Sequence, residues 1–323
     1  MRLFHKLEEL PANWGESVAS IGNFDGVHRA HQLVLRKVVE RARDLNVRSM
    51  AVTFDPHPLR VLRPDGAPSL ITPLPQKLAA FREAGISAVL VLPFTAQFAS
   101  TSPAEFARRV VVEGIHAKEL HEGANFHFGH RAEGSCETLK ALGRELGFEV
   151  VIYPEMRFRG ETVSSSRVRQ LLLEGNVNRA RHLLDRPFSV VSTPAKGRGY
   201  GSRYTVPTIN LAPYSELVPK NGVYVTCTRL AGETFESVTN VGTRPTFEDA
   251  CFAIETHLLN FHTIDLDENT EVEIAFLKWL RPEIQWPNAE ALKEQIGKDI
   301  RKAKRFFALL GEGIGSRADS FSG

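Results

Sequence analysis

The densest chemistry in the chain lies in Gly22-Asn23-Phe24-Asp25-Gly26-Val27-His28-Arg29-Ala30-His31. Its glycines let the backbone turn tightly and approach a ligand closely. A helix is predicted to begin here, and a helix N-terminus presents unpaired N–H groups and a positive dipole end to an anion. Two histidines three residues apart at such a start face the same way. They can donate hydrogen bonds to phosphate oxygens, where charge builds up during phosphoryl or nucleotidyl transfer. No covalent nucleophile is needed, because an incoming phosphate attacks the α-phosphorus directly once the two are aligned. The same His-x-x-His spacing is also half of a zinc site, with His57, His121, His127 and His130 as further ligands. The spacing alone leaves both readings open.

A second cluster is Val163-Ser164-Ser165-Ser166-Arg167-Val168-Arg169, just before the helical run Gln170–Glu174. Hydroxyls and guanidinium groups at a helix N-terminus make a phosphate cradle; taken alone, a serine N-cap with solvated arginines explains them equally. A third is Val206-Pro207-Thr208-Ile209-Asn210-Leu211. Strand alternation puts Thr208 and Asn210 on one face, about 7 Å apart, within reach of one metal–phosphate group. Upstream, Gly197-Arg198-Gly199-Tyr200-Gly201 is a flexible loop whose N–H groups can cradle phosphate. The plainer reading of both is an outward polar strand face and a glycine-rich hairpin loop.

These groups need elements to hold them. Up to Leu184 short apolar strands alternate with helical stretches. Val18–Ile21 reads as a strand, then a helix carries Leu35, Val38, Ala42 and Leu45 at helical spacing, then Val47–Phe54 completes a βαβ unit. Ser102-Pro103-Ala104-Glu105 is a capping box. Gly85 and Gly147 stop helices just before the strands Ile86–Leu92 and Phe148–Tyr153. The alternation predicts a doubly wound parallel sheet with ligands beyond the carboxyl ends of its strands. After Asp185-Arg186-Pro187 strand-like runs follow one another: Phe188–Ser192, Val206–Leu211, Val223–Arg229, Phe252–Leu259 and Val272–Leu280. They predict an antiparallel barrel or sandwich. A long helix closes it, with Leu292, Ile296, Ile300, Ala303, Phe307 and Leu310 on one face and a solvated basic face of Lys298, Arg301, Lys302 and Arg305. The division is therefore 1–185 and 186–312, with a fraying tail at 313–323.

Composition narrows the classes. A chain of 323 residues, 42% hydrophobic and 24% charged, suits two globular domains. Forty basic against 38 acidic residues give a net charge of +2, no reason to expect nucleic acid or a membrane as partner. Three scattered cysteines, Cys136, Cys227 and Cys251, suit a reducing, cytoplasmic setting better than a disulfide framework. No apolar run has the length of a signal or spanning segment. Oligomeric state, including weak self-association, is left open.

Together the motifs resemble the HxGH nucleotidyltransferase superfamily, and most closely the adenylyltransferase half of prokaryotic bifunctional riboflavin kinase/FAD synthetases. That family reads GxFDGxHxGH, TFDPHP, GxxFxFG and ISSTxxR; the counterparts are Gly22–His31, Thr53–Pro58, Gly123–Gly129 and Val163–Arg169. Ala30 stands for the glycine between the histidines and Ser166 for the threonine. The resemblance implies that Gly22, Phe24, Asp25, His28 and His31 meet ATP, the histidines catalytically. It implies Ser164, Ser165 and Arg169 on the β/γ-phosphates, and Pro56, Pro58, Asn125 and Phe128 on the flavin side. On their own residues, Asp55–Pro58 is a rigid loop after a strand, and Phe126 and Phe128 are equally core residues.

Residues from about 186 to 310 resemble the riboflavin kinase half. GxxxGRxLGxPTxNL appears as GRGYGSRYTVPTINL, where Gly197, Gly201, Pro207, Thr208, Asn210 and Leu211 match. Ser202, Tyr204 and Thr205 replace arginine, leucine and glycine. Asn240–Phe247 matches NxGxRPTF, and Ile254–Phe261 resembles ExxLLDF with Asn260 for aspartate. The resemblance implies that Gly197, Gly201, Thr208 and Asn210 hold Mg²⁺–ATP, Thr208 and Asn210 as metal ligands. Glu255 would take the proton of the ribityl 5′-hydroxyl, a poor nucleophile until it loses it. Alternation sets Glu255 beside Ala253, Leu259 and Phe261, an inward-pointing pattern, although the opposite face is also apolar. The function so implied is phosphorylation of riboflavin to FMN and adenylylation of FMN to FAD, with ATP and Mg²⁺. Two alternatives stand beside it: adenylylation alone, with the barrel as a flavin-binding or regulatory module, and a non-enzymatic zinc protein built on His28 and His31.

Overall fold

The computed structural model describes residues 1–195, 208–245, 250–264, 266–267 and 269–313. Its chain contacts fall into two units, Met1–Ser165 and Ser166–Gly323.

The first unit is built on six strands: β1 (Arg2–Phe4), β2 (Ser17–Ile21), β3 (Arg48–Asp55), β4 (Ala88–Pro93), β5 (Ala117–Gly123) and β6 (Glu149–Tyr153). They run parallel in the order β1-β4-β3-β2-β5-β6. Alternate side chains feed two cores, as strand geometry requires. Val18, Ala51, Val89 and Val91 meet Leu35 and Val38 of α1 (Arg29–Asp44) and Phe81 on one face. Ala19, Ile21, Met50, Val52 and Leu90 meet Phe106, Val110, Ile115 and Leu139 on the other. All five residues of β2 are buried, as expected for a strand covered on both sides.

Helix α2 (Pro58–Leu62) follows β3, and α3 (Leu74–Glu83), which carries Phe81, leads into β4. Short helices α4 (Ala96–Ala99) and α5 (Pro103–Phe106) come next, α5 running on as a wide π segment, Ala107–Val112. The serine half of the capping box forms: Ser102 Oγ accepts the Glu105 N–H at 3.2 Å, while the Glu105 carboxylate accepts from Arg109 at 3.2 Å instead of reaching back. Helix α6 (Cys136–Leu146) ends at Gly147, where φ is +85°. A hairpin of β7 (Arg157–Phe158) and β8 (Glu161–Thr162) precedes α7 (Ser165–Leu173), which crosses into the second unit.

Strand order reverses at β2, which has β3 on one side and β5 on the other. In an open α/β sheet that switch point is where a crevice opens beyond the strand ends. The loops leaving β2 and β5 are Gly22–His28 and Gly123–Gly129, two of the segments singled out above.

In the second unit α8 (Val177–Leu184) packs on β9 (Phe188–Ser192) and β14 (Val272–Arg281). The sheet runs β10-β13-β12-β11-β14-β9, with β10 (Thr208–Asn210), β11 (Gly222–Leu230), β12 (Glu233–Pro245) and β13 (Ala250–Leu258), every pair antiparallel. Its two ends meet. Pro194 bridges Leu211, the Ala195 N–H donates to Asn210 O at 2.7 Å, and the Ala212 N–H donates to Thr193 O at 2.8 Å. The sheet is therefore a barrel, one of the two architectures, barrel or sandwich, that the strand-only periodicity predicted.

The interior is part oil, part hydroxyl. Phe188, Val190, Tyr224, Ile254, Ile274 and Phe276 are buried there, and so are Thr226, Thr228, Ser237, Thr239 and Thr256. The five hydroxyls satisfy one another: Thr226 with Ser237 (2.8 Å) and Thr239 (2.7 Å), Thr228 with Ser237 (2.8 Å) and Thr256 (3.1 Å), Thr239 with Thr256 (2.9 Å). Outside, α9 (Ala289–Gly313) lays Ile300, Ala303, Phe306 and Phe307 on Val225, Val238 and Leu280. Its predicted apolar stripe is only half used: Leu292 and Ile296 remain exposed. The basic residues of α9 face solvent as expected. The tail beyond residue 313 lies outside the described residues.

Candidate active sites

His28 is the N-cap of α1, with its Nδ1 accepting the His31 N–H at 3.4 Å. That acceptor role leaves Nε2 to carry the ring proton of the neutral imidazole. His31, one turn on, stacks its ring on His28 at 3.7 Å and 13°. Phe24 meets His31 edge-on at 5.2 Å and Phe81 at 5.2 Å, so the pair is backed by core. The turn is conformationally demanding: φ is +48° at Phe24, +85° at Gly26 and +39° at Val27. Only Gly26 adopts this region without strain.

Tethers hold that turn. The Asp25 carboxylate accepts the N–H groups of Ile71 (2.9 Å) and Thr72 (3.1 Å). Ser165 Oγ, at the start of α7, donates to Asp25 O at 2.8 Å, and Gln32 Nε2 donates to Val27 O at 2.8 Å. Gly22 N–H donates to Val52 O at 2.9 Å and carries the turn off the sheet. The serine segment and the histidine turn, distant in sequence, are thus joined. Ser164 precedes the helix, and Arg169 follows Ser165 by one turn of it.

Two buried ionisable groups beneath the turn escaped the sequence reading. Lys77 of α3 donates from Nζ to Asn23 O at 2.7 Å and reaches Thr53 Oγ1 at 3.4 Å. Burial pushes its pKa down to about 8, against the pull of Asp25 and Asp55. Glu122 of β5 is fully enclosed and accepts the Ile21 N–H at 2.7 Å. Burial holds its carboxyl well above the usual range, only partly offset by that N–H. Lys77 had a legible signal, since it shares a helical face with Phe81 four residues on.

Of the residues that the resemblance puts beside flavin, Pro56 is exposed, and Pro58 opens α2, whose first turn is capped by His57 Nδ1 accepting the Leu59 N–H at 3.2 Å. Asn125 is exposed, while Phe128 belongs to the core and stacks on Phe126 at 5.5 Å. An aromatic series continues from Phe128 through Phe106 (5.6 Å) and Phe98 (6.1 Å) to Phe54 (6.0 Å) and Phe94 (5.7 Å). Phe54, Phe94 and Phe98 are half-buried. Nothing in their spacing marked them, because Phe54 comes from the end of β3, Phe94 from the segment after β4 and Phe98 from α4. The zinc reading finds no group of three or more His, Cys, Asp or Glu side chains able to hold a metal among the described residues.

In the barrel, Asn210 pairs with Glu255, and Glu255 pairs with Asn240, so the three form a row across β10, β13 and β12. The next row is Thr208, His257 and Val238, with Thr208 Oγ1 and His257 Nδ1 at 3.1 Å. Burial lowers the His257 pKa. The inward residues of β13 are Ile254, Thr256 and Leu258, so Glu255 points out of the barrel, not into it as its apolar neighbours suggested. The reason is the hydroxyl core: the interior side of this strand includes a threonine, and α9 covers part of the outer side with apolar groups. Gly197 and Gly201, with the rest of residues 196–207, lie outside the described residues, as do Thr246 and Phe247. Asn240 and His257 stood inside recognised motifs without an assigned role.

The order of the two units is matched by two family models: FAD synthetase over residues 10–167 and riboflavin kinase over 184–307. A bifunctional riboflavin kinase/FMN adenylyltransferase from Pseudomonas fluorescens is 35% identical over 95% of this chain and 98% of its own. The chain belongs to that bifunctional family. Its counterpart in Escherichia coli K12 is 33% identical over 96% of this chain and 98% of that one. A relative of the same description in Listeria monocytogenes is 32% identical over 91% and 93%. A crystal structure described as a macrolide-efflux protein from Streptococcus pneumoniae superposes with a TM-score of 0.81 at 25% identity, covering 94% of this chain and 98% of that one. Among the described residues no helix is long and apolar enough to cross a membrane.

Proposed function

We propose that the chain makes FAD from riboflavin in two ATP-dependent steps. The C-terminal barrel transfers the γ-phosphoryl group of ATP to the riboflavin 5′-hydroxyl, giving FMN and ADP. The N-terminal module transfers the adenylyl group of a second ATP to the FMN phosphate, giving FAD and pyrophosphate. The observation that carries most weight is the stacked His28–His31 pair capping α1 at the switch point of the parallel sheet.

In adenylyl transfer an FMN phosphate oxygen bonds to the α-phosphorus while its bond to the bridging oxygen breaks. His28 and His31 donate hydrogen bonds to the oxygens on which charge accumulates. Gly22, Phe24 and Asp25 shape the turn against ATP; Ser164, Ser165 and Arg169 receive the departing pyrophosphate. Pro56, Pro58, Asn125 and Phe128 border the flavin, with the half-buried Phe54, Phe94 and Phe98 alongside. In the kinase step Glu255 takes the 5′-hydroxyl proton as the oxygen bonds to the γ-phosphorus and ADP leaves. Asn210 and Asn240 flank it in the row, one strand to either side. Gly197 and Gly201 cradle phosphate. Thr208 and Asn210 offer neutral oxygens on one strand face, the hard donors Mg²⁺ takes, so their chemistry fits that ion. Bound there, Mg²⁺ would neutralise charge on the ATP phosphates.

The catalytic border is placed at 185/186, supported by the riboflavin kinase match beginning at residue 184. The reading suits a cytoplasmic setting, in which the free thiols Cys136 and Cys227 stay reduced. Weak self-association is proposed alongside it, checked by sedimentation across concentration. The deciding experiment is chromatography of the products formed from riboflavin, ATP and Mg²⁺. FAD is the expected product; FMN alone leaves only the kinase, and no product overturns both assignments. FAD from supplied FMN, but not from riboflavin, would make the barrel a binding or regulatory module.

A further inference from the structure

Lys77 is 3% exposed, and its two hydrogen-bond partners, Asn23 O and Thr53 Oγ1, are both uncharged. An ammonium has three donors, and among the described residues it forms no ion pair. Holding such a cation away from water without a counter-ion is unfavourable, and a methionine would fill the same space on α3 more cheaply. The two carboxylates whose charge acts on it are Asp25 of the turn and Asp55 at the end of β3; the burial effect exceeds theirs. Asp25 is itself committed to the N–H groups of Ile71 and Thr72. The cation is thus stationed beneath a turn that it does not need to neutralise.

That turn also needs outside support. Three of the four residues Phe24–Val27 have positive φ, and two of those carry side chains that disfavour it. Asn23 O is the last carbonyl before this strained stretch, and Lys77 is its shorter donor at 2.7 Å, with Thr53 Oγ1 at 3.4 Å.

We propose that Lys77 is a positioning residue for adenylyl transfer: it fixes the Asn23 carbonyl so that the turn presents His28 and His31, and its unbalanced charge is completed by the arriving ATP phosphates. The proposal rests on the phosphate-binding role given to this turn under the proposed function. Charge buried in a low-dielectric site acts more strongly than the same charge in water, and a cation already in place needs no reorganisation when the anion enters. The neutral form expected at higher pH still hydrogen-bonds to Asn23 but no longer attracts phosphate.

The test is the pH dependence of kcat/KM for ATP in FAD formation from FMN, in the full chain, for the parent, Lys77→Met and Lys77→Arg. At pH 7, Lys77→Met is expected to lose about 10²-fold, the scale of one preorganised electrostatic group, with riboflavin phosphorylation unchanged. The parent is expected to decline above pH about 8, so that its advantage over Lys77→Met narrows. Lys77→Arg, whose guanidinium stays charged, is expected to recover activity and lack that alkaline decline. A Lys77→Met variant within threefold of the parent, or a ratio constant from pH 7 to about 9.5, overturns the proposal. If Lys77→Met loses the kinase activity too, the parent's own profile decides: no decline near pH 8 overturns it. Undiminished FAD formation by His31→Ala would instead remove the phosphate role of the turn, a separate failure.

Discussion

At the first proposed site the candidate groups sit on a turn and two helix starts, while at the second they sit on the outer face of a barrel. The difference extends to what lies beneath. Under the histidine turn are charged or chargeable groups, Lys77 and Glu122, which burial drives toward their neutral forms. Under the Asn210–Glu255–Asn240 row is a set of neutral hydroxyls that satisfy one another. A turn with three positive φ values needs external tethers; a strand row is already fixed by ladder hydrogen bonds, and its backing only has to keep register.

The largest effect expected from this contrast is at Glu255. Glu255→Gln keeps the shape and removes the proton acceptor, so riboflavin kinase kcat should fall by about 10²–10⁴ with little change in riboflavin or ATP affinity. FAD formation from supplied FMN should be untouched. A folded variant with near-normal turnover would make Glu255 a strand residue whose charge merely stabilises the barrel. Next comes His31→Ala, expected to cut FAD formation by ~10²–10³ while sparing the kinase. Equal losses in both activities would point to misfolding or a shared site.

The backing layers should respond in opposite directions. Thr239→Val leaves the hydroxyls of Thr226 and Thr256 short of a partner, which should lower barrel stability by ~1–3 kcal/mol in denaturant titrations. A loss near zero would show that these hydroxyls re-pair. Glu122→Gln should do the reverse. A carboxyl whose folded pKa exceeds its unfolded one weakens the fold above the unfolded value, about pH 4.3, and has no such effect below it. The variant should therefore melt about 2–4 °C higher than the parent at pH 7 and at the same temperature near pH 4. Equal melting at both pH values would remove Glu122 as an ionisable liability.

Local chemistry was legible in the sequence. The serine cap at Ser102, the helix stop at Gly147 and the paired histidines at a helix start depend on residues a few positions apart, and each forms. Strands β5 and β12 were not legible, for one shared reason. Glu119, His121 and Glu122 line buried β5, and Ser237 and Thr239 face inward on β12, so neither shows the apolar alternation by which strands are recognised. Glu119 is matched by Arg41 at 2.7 Å and His121 by Tyr153 at 2.8 Å, partners far along the chain that no local window contains. The same blindness turned Glu255 inward: with hydroxyls inside and apolar side chains beneath α9, the polarity of the two faces no longer tells in from out.

The closure of the barrel has a consequence for how the chain is made. Strand β9 pairs along its length with β14, Phe188 with Phe276 and Ser192 with Val272, while its continuation bridges Leu211. During synthesis the residues around 188 must wait for those around 276 before their ladder can form. Contacts of such long sequence separation are slow to make, because loop closure must come first. The first sheet has no such debt to the C-terminus, since its last strand ends at Tyr153. On the ribosome the histidine turn can therefore take shape while the strand row is still being translated, and the unpaired β9 is the segment a chaperone would meet.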